Sequence, residues 1–284
     1  MDYIIMPKHR TSIEFPVELW RKLLLKVPER KKSTFIMQAI EEKLSRDTLK
    51  TVVLCGGQGT TMRPLTLTIP KPMLPIGYKP ILEHIVNFLK AEGLNNFIFS
   101  TGYLGENIIK YFNDGSQFGV AIKYSSEDKP LGTAGALKKV EKMVGSNFVV
   151  SAGDTIFSGL SVKDVLRFHG EKKKSVGTIV LWKAADARNF GLVETDSYGL
   201  ITSFREKPKF PTEGWINTGF YIFNSEIFDY IPKNKMVSLE YDIFPALAEK
   251  GKLFGYFHNG YWADVGRPAD YEKVSKDMLT GKLY

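Results

Sequence analysis

The sequence of 284 residues contains a single cysteine, Cys55. One thiol can form neither an intrachain disulfide nor a cysteine-based metal cluster. Because Cys55 ends an apolar run, we expect an inert buried thiol. A chain without disulfides fits a reducing compartment such as the cytoplasm.

Long apolar runs are also missing. No stretch approaches eighteen consecutive apolar residues, and the first ten residues, MDYIIMPKHR, place no long apolar core behind a basic flank. Neither membrane spanning nor export is therefore indicated, and we expect a cytoplasmic protein. With 43% hydrophobic and 25% charged residues, the composition is that of an ordinary globular protein.

Positive charge is concentrated near the N-terminus. The net charge is +8, and residues 1–50 carry half of it, with eleven Lys/Arg against seven Asp/Glu. This asymmetry suggests an anionic partner for the N-terminal segment, although a solvated basic surface would give the same pattern.

The N-terminal pattern predicts one strand and two helices. Residues 8–15 alternate between apolar and polar side chains, as in a half-buried strand. Pro16 and Ser33 are placed to open two helices, whose apolar positions are Leu19, Trp20, Leu23, Leu24 and Val27, then Phe35, Ile36, Ala39, Ile40 and Leu44. So small a unit cannot bury a stable core alone, so we expect it to pair with a second copy or to pack on the rest of the chain.

Residues 7–47 resemble the ribbon-helix-helix family of dimeric DNA-binding proteins. The segments RTSIEFP, VELWRKLLL and STFIMQAIEEKL match that family's strand and two helices in order and length. The resemblance implies a β-α-α domain over residues 1–48 that forms a homodimer or a higher oligomer. It also implies possible DNA contacts, with bases read by Arg10, Ser12 and Glu14 and a phosphate held by Lys32, Ser33 and Thr34. Glu14 has the wrong charge for DNA unless it accepts from a cytosine amine, so a domain that only dimerises is the alternative.

A glycine-rich loop follows the first long apolar strand of the remaining chain. The predicted strand Thr51–Cys55 ends in Gly56, Gly57 and Gly59. Glycines let backbone N–H groups approach a ligand closely, which favours an anion site. The loop lacks the G-K-[ST] ending of a Walker A motif, and the third glycine of G-x-G-x-x-G falls on Met62. A tight structural turn therefore remains the alternative.

From residue 51, strands and helices alternate. Strands are predicted at 51–55, 96–101, 121–125 and 147–151, and helices at 80–92, 105–113 and 135–143. This βαβαβαβ order favours a parallel sheet with helices on both faces and a ligand site beyond the carboxyl ends of its strands. Loops 56–63 and 153–155 both follow strands at that edge, so we expect them to face one crevice.

The second half is richer in strands. Strands are predicted at 176–182, 191–195, 200–205, 219–223 and 253–258, and helices at 161–172, 241–250 and 268–279. Asn217-Thr218-Gly219 is expected to form a turn. We expect an α/β domain over residues 50–284 whose sheet is mixed.

Three charged residues could act on a nucleotide phosphate. Lys71, between two prolines, offers a stiffly positioned ammonium. Asp154 and Asp264 each stand near a glycine at a strand end, where a carboxylate can hold Mg²⁺ between phosphate oxygens. Alone, each has a simpler explanation as a solvated loop charge or a turn cap.

Together and in this order, these features resemble the sugar-1-phosphate nucleotidylyltransferases over about residues 50–284. The family's opening pattern, G-G-x-G-T-R-L-x-P-L-T and then P-K-P-M-L-P-I, is matched by GGQGTTMRPLT and PKPMLPI. Further blocks are PLGTAGAL (130–137), Gly153-Asp154, FGLVE (190–194), FREKP (204–208), NTGFYIF (217–223), SLEYDIFP (238–245) and WADVG (262–266). The resemblance implies a Rossmann-like α/β fold with a mixed, mainly parallel sheet flanked by helices, of the nucleotide-diphospho-sugar transferase type.

The resemblance also implies a reaction, in which a sugar 1-phosphate attacks the α-phosphorus of an NTP and pyrophosphate leaves. The nucleophile is ionised at pH 7, so positioning and electrostatics suffice. The implied metal ligands for Mg²⁺ are Asp154 and Asp264, and the implied catalytic group is Lys71 with Thr61 and Arg63. The implied nucleotide site comprises Leu54, Gly56, Gly57, Gly59, Thr60, Pro130, Gly132 and Thr133. The implied sugar-phosphate site comprises Gly191, Glu206, Lys207, Asn217 and Glu240.

One position departs from the family pattern. The arginine that contacts the triphosphate falls on Thr61, and Arg63 is the nearest charge that could replace it. Two hypotheses follow: a working nucleotidylyltransferase with a dimerising or DNA-binding head, or a regulator whose weakened transferase body binds a nucleotide sugar and modulates that head. The body resembles mannose-1-phosphate guanylyltransferases and glucose-1-phosphate thymidylyl- or uridylyltransferases about equally. The sequence therefore does not decide which nucleotide base and which sugar are used.

Overall fold

The computed structural model describes residues 12–37, 39–40 and 49–283. The chain divides into two compact units, Met1–Arg46 and Asp47–Tyr284. Within the described residues, the helices are too short or too polar to cross a bilayer.

The described residues of the N-terminal unit form two α-helices, α1 (Val17–Lys26) and α2 (residues 32–37 and 39–40). Residues 12–15 of the predicted strand belong to no strand, and residues 8–11 lie outside the described part of the chain. A strand needs a hydrogen-bonded neighbour, and the described residues of this unit contain none. Leu23 is buried on α1, whereas Leu19 and Leu24 remain about half exposed. The unit therefore leaves part of its apolar stripe uncovered.

The first half of the larger unit alternates strands and helices as predicted. Its elements are β1 (Lys50–Cys55), β2 (Pro75–Ile76), β3 (Lys79–Pro80), α3 (Ile81–Ala91), β4 (Asn96–Thr101), α4 (Gly105–Phe112), β5 (Ala121–Ser126), α5 (Gly132–Lys139) and β6 (Asn147–Ala152). β2 and β3 form a short antiparallel hairpin. The apolar runs thus locate the main strands to within about a residue.

The second half supplies the remaining strands. Its elements are β7 (Thr155–Ser158), α6 (Val162–Glu171), β8 (Gly177–Ala184), β9 (Gly191–Thr195), β10 (Ile201–Glu206), β11 (Gly214–Asn224), a π-helical turn (Leu239–Ile243), α7 (Phe244–Glu249), β12 (Leu253–His258), β13 (Tyr261–Asp264) and α8 (Pro268–Leu279). The helix predicted at 241–250 thus begins as a π-helical turn.

Within residues 49–283, nine strands form one mixed sheet in the order β10-β9-β11-β6-β1-β4-β5, with β8 pairing β11 and β12. β6, β1, β4 and β5 are parallel, and β11 joins β6 antiparallel. Val52 and Val53 of β1 belong to different core clusters, because successive strand residues point to opposite faces. Helices cover both faces, so the predicted α/β architecture is confirmed.

The turn predicted at Asn217-Thr218-Gly219 is wrong. These residues lie inside the eleven-residue strand β11. The pairing with β8 shifts between Asn217 and Tyr221, and Gly219 adopts φ +80°. A β-bulge uses the same residue types as a turn but keeps the strand continuous, which local sequence alone does not distinguish.

Candidate active site

A cavity of about 660 Å³ lies at the carboxyl ends of β1 and β6. Both loops expected at that edge, after β1 and after β6, contribute to its wall. The predicted residues that line it are Leu54, Gly56, Gly57, Gly59, Thr61, Lys71, Pro130, Gly132, Thr133, Asp154, Gly191, Glu206, Lys207, Asn217, Glu240 and Asp264. Thr60 and Arg63 are exposed and do not belong to its lining. They flank Met62, which is fully buried and anchors the short turn between them.

The glycine loop packs tightly against the segment that carries Lys71. Gly59 adopts φ +61°, and a Cβ there would lie 3.0 Å from Thr66 Cγ2 and 3.1 Å from Lys71 Cβ. Thr66 Oγ1 donates to the Gly59 carbonyl at 2.8 Å. A Cβ at Gly57, by contrast, would meet no atom within 4 Å. The loop is therefore fixed at Gly59 and open to a ligand at Gly57.

Asp154 and Asp264 are brought together by a two-stranded ribbon. β7 pairs antiparallel with β13, which places Asp264 opposite Thr155. The Val265 N–H donates to the Asp154 carbonyl at 2.9 Å, and the Lys71 ammonium forms an ion pair with the Asp154 carboxylate. Residues from three distant segments of the chain thus form one charged cluster beside the glycine loop.

The charged groups in this cluster shift one another's pKa. Burial and the neighbouring Asp154 carboxylate raise the pKa of Asp264 to about 7. Burial lowers the pKa of Lys71, but the carboxylates of Asp154 and Asp264 raise it more, so its pKa lies above the ordinary value. The ammonium stays charged at neutral pH, and one positive charge faces two acidic groups.

This donor set fits a divalent cation shared with a substrate. Mg²⁺ is commonly bound by one or two carboxylates together with phosphate oxygens and water. The described residues contain no cluster of three or more His, Cys, Asp or Glu that could hold a metal. Asp154 and Asp264 could therefore supply part of a coordination shell that phosphate oxygens and water complete.

The cavity lining also contains Glu206 and Lys207. Glu206 Oε2 is buried and has no hydrogen-bond partner among the described residues. Burial and the nearby Glu240 carboxylate raise the pKa of Glu206 to about 7, while Lys207 Nζ lies 3.8 Å from Glu206 Oε1. Lys207 adopts φ +49°, which is strained for a residue with a side chain. Such strain together with an unpartnered buried oxygen is typical of a binding site.

Glu240 is held in place by one hydrogen bond from a neighbouring residue and one from a distant part of the chain. Its Oε2 accepts from Thr133 Oγ1 at 2.7 Å and from Ser238 Oγ at 2.6 Å. Thr133 Oγ1 in turn accepts from the Leu239 N–H at 2.8 Å. The π-helical turn thereby connects a predicted nucleotide-site residue with a predicted sugar-site residue. π-helical turns are frequent at functional sites.

Several cavity residues do not appear among the predicted ones, notably Glu127, Asn189, Tyr241 and Arg267. Glu127 Oε2 accepts from the Leu131 N–H at 3.0 Å, which positions it beside the PLGTAGAL block. Arg267 directly follows the WADVG block. Adjacency to a motif is the only sequence signal for either residue. Cys55 also lines the cavity and is buried, as expected, and its burial raises the pKa of its thiol.

The residues predicted to contact DNA lie in the N-terminal unit, and Arg10 among them is outside the described residues. Ser12, Glu14, Ser33 and Thr34 are exposed. Lys32 is buried, with its Nζ 2.6 Å from Glu29 Oε2 and 5.2 Å from the centre of the Trp20 ring. Its ammonium is therefore already engaged within the unit.

Comparison with known proteins supports the motif analysis. Mannose-1-phosphate guanylyltransferase of Mycobacterium tuberculosis is 39% identical over 233 residues, covering 81% of this chain and 64% of the relative. UTP–glucose-1-phosphate uridylyltransferase of Synechocystis is 36% identical over 254 residues, covering 83% and 64%. The chain thus spans a little under two thirds of the length of these relatives.

Solved structures support the same relationship. HddC from Yersinia pseudotuberculosis superposes with a TM-score of 0.71 at 29% identity, covering 81% of this chain and 99% of that one. The same protein has also been solved in complex with GMP-PN, with a TM-score of 0.69. The family model described as Nucleotidyl transferase matches residues 50–281. By its motif blocks, its sheet topology and this match, the chain belongs to the nucleotidyl transferase family.

Proposed function

We propose that residues 50–281 transfer a nucleotidyl group from an NTP to a sugar 1-phosphate, giving an NDP-sugar and pyrophosphate. The observation that carries this proposal is the Lys71–Asp154 ion pair with Asp264, beside the glycine loop in one cavity. Relatives at 36–39% identity bear the names of such transferases. The alternative of a catalytically weakened regulator finds no support among these relatives.

In the proposed reaction, a phosphate oxygen of the sugar 1-phosphate forms a bond to the α-phosphorus of the NTP. The bond from that phosphorus to the α,β-bridging oxygen breaks, and pyrophosphate leaves with the electron pair. The attacking oxygen is already ionised at neutral pH, so the protein needs no general base. Its task is to align the two phosphates and to stabilise the negative charge.

The residues of the cavity divide this task. The permanently charged Lys71 and the glycine-loop N–H groups would face the nucleotide phosphates. Asp154 and Asp264 would hold a divalent cation, which we take to be Mg²⁺ and which neutralises charge on phosphate oxygens when bound. The Glu206 oxygen that has no hydrogen-bond partner among the described residues would accept a sugar hydroxyl, and Lys207 would bind the sugar phosphate.

The remaining predicted residues would shape the two ends of the cavity. Leu54, Gly56, Gly59, Pro130, Gly132 and Thr133 would contact the nucleotide, and Gly191, Asn217 and Glu240 the sugar. We also propose a cytoplasmic location, because a chain with one cysteine fits a reducing compartment.

Pyrophosphate release tests the activity. Purified protein with MgCl₂ is assayed with GTP, UTP and dTTP, each paired with mannose 1-phosphate and glucose 1-phosphate. We expect turnover with at least one pair and its loss in Asp154→Asn. The matched control is Asp229→Asn, at an exposed aspartate outside the cavity lining. Folded protein that releases no pyrophosphate with any pair would refute the proposal.

We further propose that the N-terminal unit joins two copies of this chain. A groove of about 520 Å³ on this unit is lined almost entirely by apolar side chains of both helices and of the segment before α1: Ile13, Phe15, Leu19, Leu23, Val27, Phe35, Ile36, Ala39 and Ile40. Several of these side chains are about half exposed. A second copy would bury them and could pair the segment that precedes α1 into a ribbon, as the ribbon-helix-helix resemblance implies.

Light scattering of the full-length protein tests this association. We expect a dimer or higher oligomer, dissociated by Leu19→Glu in the groove. Leu25→Glu is the control, because Leu25 is 86% exposed and outside the groove lining. A monomeric wild type, or an oligomer unchanged by Leu19→Glu, would contradict the proposal. Anisotropy of a labelled DNA duplex, titrated at two salt concentrations, decides whether the unit also binds DNA.

A further inference from the structure

Thr61 occupies the loop position where the resembled family carries an arginine. Its Oγ1 donates to the carbonyl of Gly266 at 2.5 Å. The glycine loop therefore touches the segment between β13 and α8. The Thr61 hydroxyl has no charge with which to bind a phosphate, and Arg63 does not line the cavity. The glycine loop thus presents no guanidinium to the nucleotide end of the cavity.

Arg267, immediately after Gly266, does line the cavity. The other cations among the described lining residues are Lys71 and Lys207. Lys71 is paired with Asp154, and Lys207 Nζ lies 3.8 Å from Glu206 Oε1. Arg267 is therefore the one guanidinium among the described residues that line this cavity.

The present contacts of Arg267 leave it able to move. It precedes α8, and its Nε and Nη2 donate to Asp270 at 2.8 Å and 3.2 Å. The arginine side chain is 47% exposed, and ion pairs of such partly exposed groups contribute little to stability. Asp264 also acts electrostatically on Arg267. A phosphate group could therefore compete with Asp270 for the guanidinium at small cost.

We propose that Arg267 supplies the guanidinium that binds the β- and γ-phosphates of the NTP and stabilises the leaving pyrophosphate. The inference rests on the proposed transferase function. The charge comes from the segment between β13 and α8, which the Thr61–Gly266 hydrogen bond joins to the glycine loop. A planar guanidinium can donate two parallel hydrogen bonds to phosphate oxygens, which Lys71 cannot.

This proposal is tested by removing the guanidinium at residue 267 and restoring one at residue 61. In Arg267→Gln we expect kcat/KM for the NTP to fall on the order of 10²-fold, as for loss of one transition-state donor. Adding Thr61→Arg to Arg267→Gln should recover at least about tenfold, because the guanidinium returns from the glycine loop. Arg167→Gln is the matched control, since Arg167 is an exposed arginine paired with Asp164 three residues away and outside the cavity lining. Its activity should stay within about twofold of wild type, as expected for a surface substitution.

Two further measurements separate phosphate binding from a structural role. Asp270→Asn breaks the ion pair but keeps the guanidinium, so it should not reproduce the loss. If Arg267 only supports α8, Asp270→Asn will lower kcat/KM as much as Arg267→Gln does, and adding Thr61→Arg to Arg267→Gln will not restore it. That result would overturn the proposal. Calorimetric binding of inorganic pyrophosphate with MgCl₂ needs no turnover. Binding to Arg267→Gln should weaken at least about tenfold, and unchanged binding would refute the proposal even where the transferase assay shows no activity.

Discussion

Replacing Gly266 with alanine tests whether the Asp264 carboxylate must keep its observed position. A Cβ at residue 266 would lie 2.3 Å from Asp264 Oδ2 and 3.2 Å from its Cγ. The φ of Gly266 lies outside the left-handed range, so alanine strains the site through this contact rather than through the backbone. To restore even a 3.0 Å separation, the carboxylate must move by roughly 0.7 Å.

The expected cost falls on activity more than on folding. A misplacement of about 1 Å at a reacting centre can cost about 10²-fold in rate, so we expect kcat to fall about 30- to 100-fold. The Mg²⁺ concentration for half-maximal activity should rise, because one of the two proposed ligands has shifted. Folding stability should change by less than about 1 kcal/mol, since alanine reduces the entropy of the unfolded chain while the contact adds strain.

Steady-state kinetics over a Mg²⁺ titration, with thermal unfolding of the same samples, measures both effects. Gly170→Ala is the matched control, because Gly170 is exposed near the end of α6 and a Cβ there meets no atom within 4 Å. It should leave kcat unchanged and raise stability by about 0.5–1 kcal/mol. If Gly266→Ala keeps wild-type kcat and Mg²⁺ dependence, the position of Asp264 is not critical and the reasoning fails.

Three other substitutions give distinct outcomes. Lys71→Met should lower kcat at least about 10²-fold and lower the melting temperature, because Asp154 loses its ammonium partner in a partly buried site. Burial lowers the pKa of His169 to about 4. As the pH falls from 6.5 towards 4, the free energy of unfolding of the wild type should therefore decrease by about 1.4 kcal/mol per pH unit relative to that of His169→Gln, as measured by urea unfolding. For Glu206 the folded pKa of about 7 lies above the ordinary value, so wild-type stability should fall as pH rises from about 4.5 to 7. Glu206→Gln should therefore be more stable than wild type at pH 8, by up to about 3 kcal/mol. It should also bind sugar 1-phosphate more weakly in calorimetry. A variant that is less stable than wild type at pH 8 would show that the folded protein stabilises the charged carboxylate, contrary to this prediction.

Local patterns predicted the strands well where burial alone decides their limits. The strands Asn96–Thr101 and Leu253–His258 have the bounds expected from their apolar runs. The prediction failed at Asn217-Thr218-Gly219, where the residues suit a turn but the neighbouring strands accommodate a bulge. It also gave no sign of the π-helical turn that positions Glu240, since that geometry depends on hydrogen bonds with Ser238 and Thr133.

In the N-terminal unit, periodicity predicted both helices, because an amphipathic helix satisfies its backbone hydrogen bonds by itself. The strand before α1 is different. Its backbone needs a neighbour, and the described residues of one copy offer none. Whether that neighbour is a second chain stays a prediction.

By itself, the sequence determined the α/β class, the order of the elements and the motif blocks that carry the family, because these depend on residue types and spacings along the chain. The family resemblance implied that Lys71, Asp154 and Asp264 share one site, but only the tertiary structure decided how these charges come together. The pairing of β7 with β13 places Asp264 beside Asp154, and the contact of Thr61 with Gly266 joins segments about 200 residues apart. The cavity lining includes Arg267 and leaves out Arg63. Such contacts arise from strand register and packing between distant segments, which local composition does not encode.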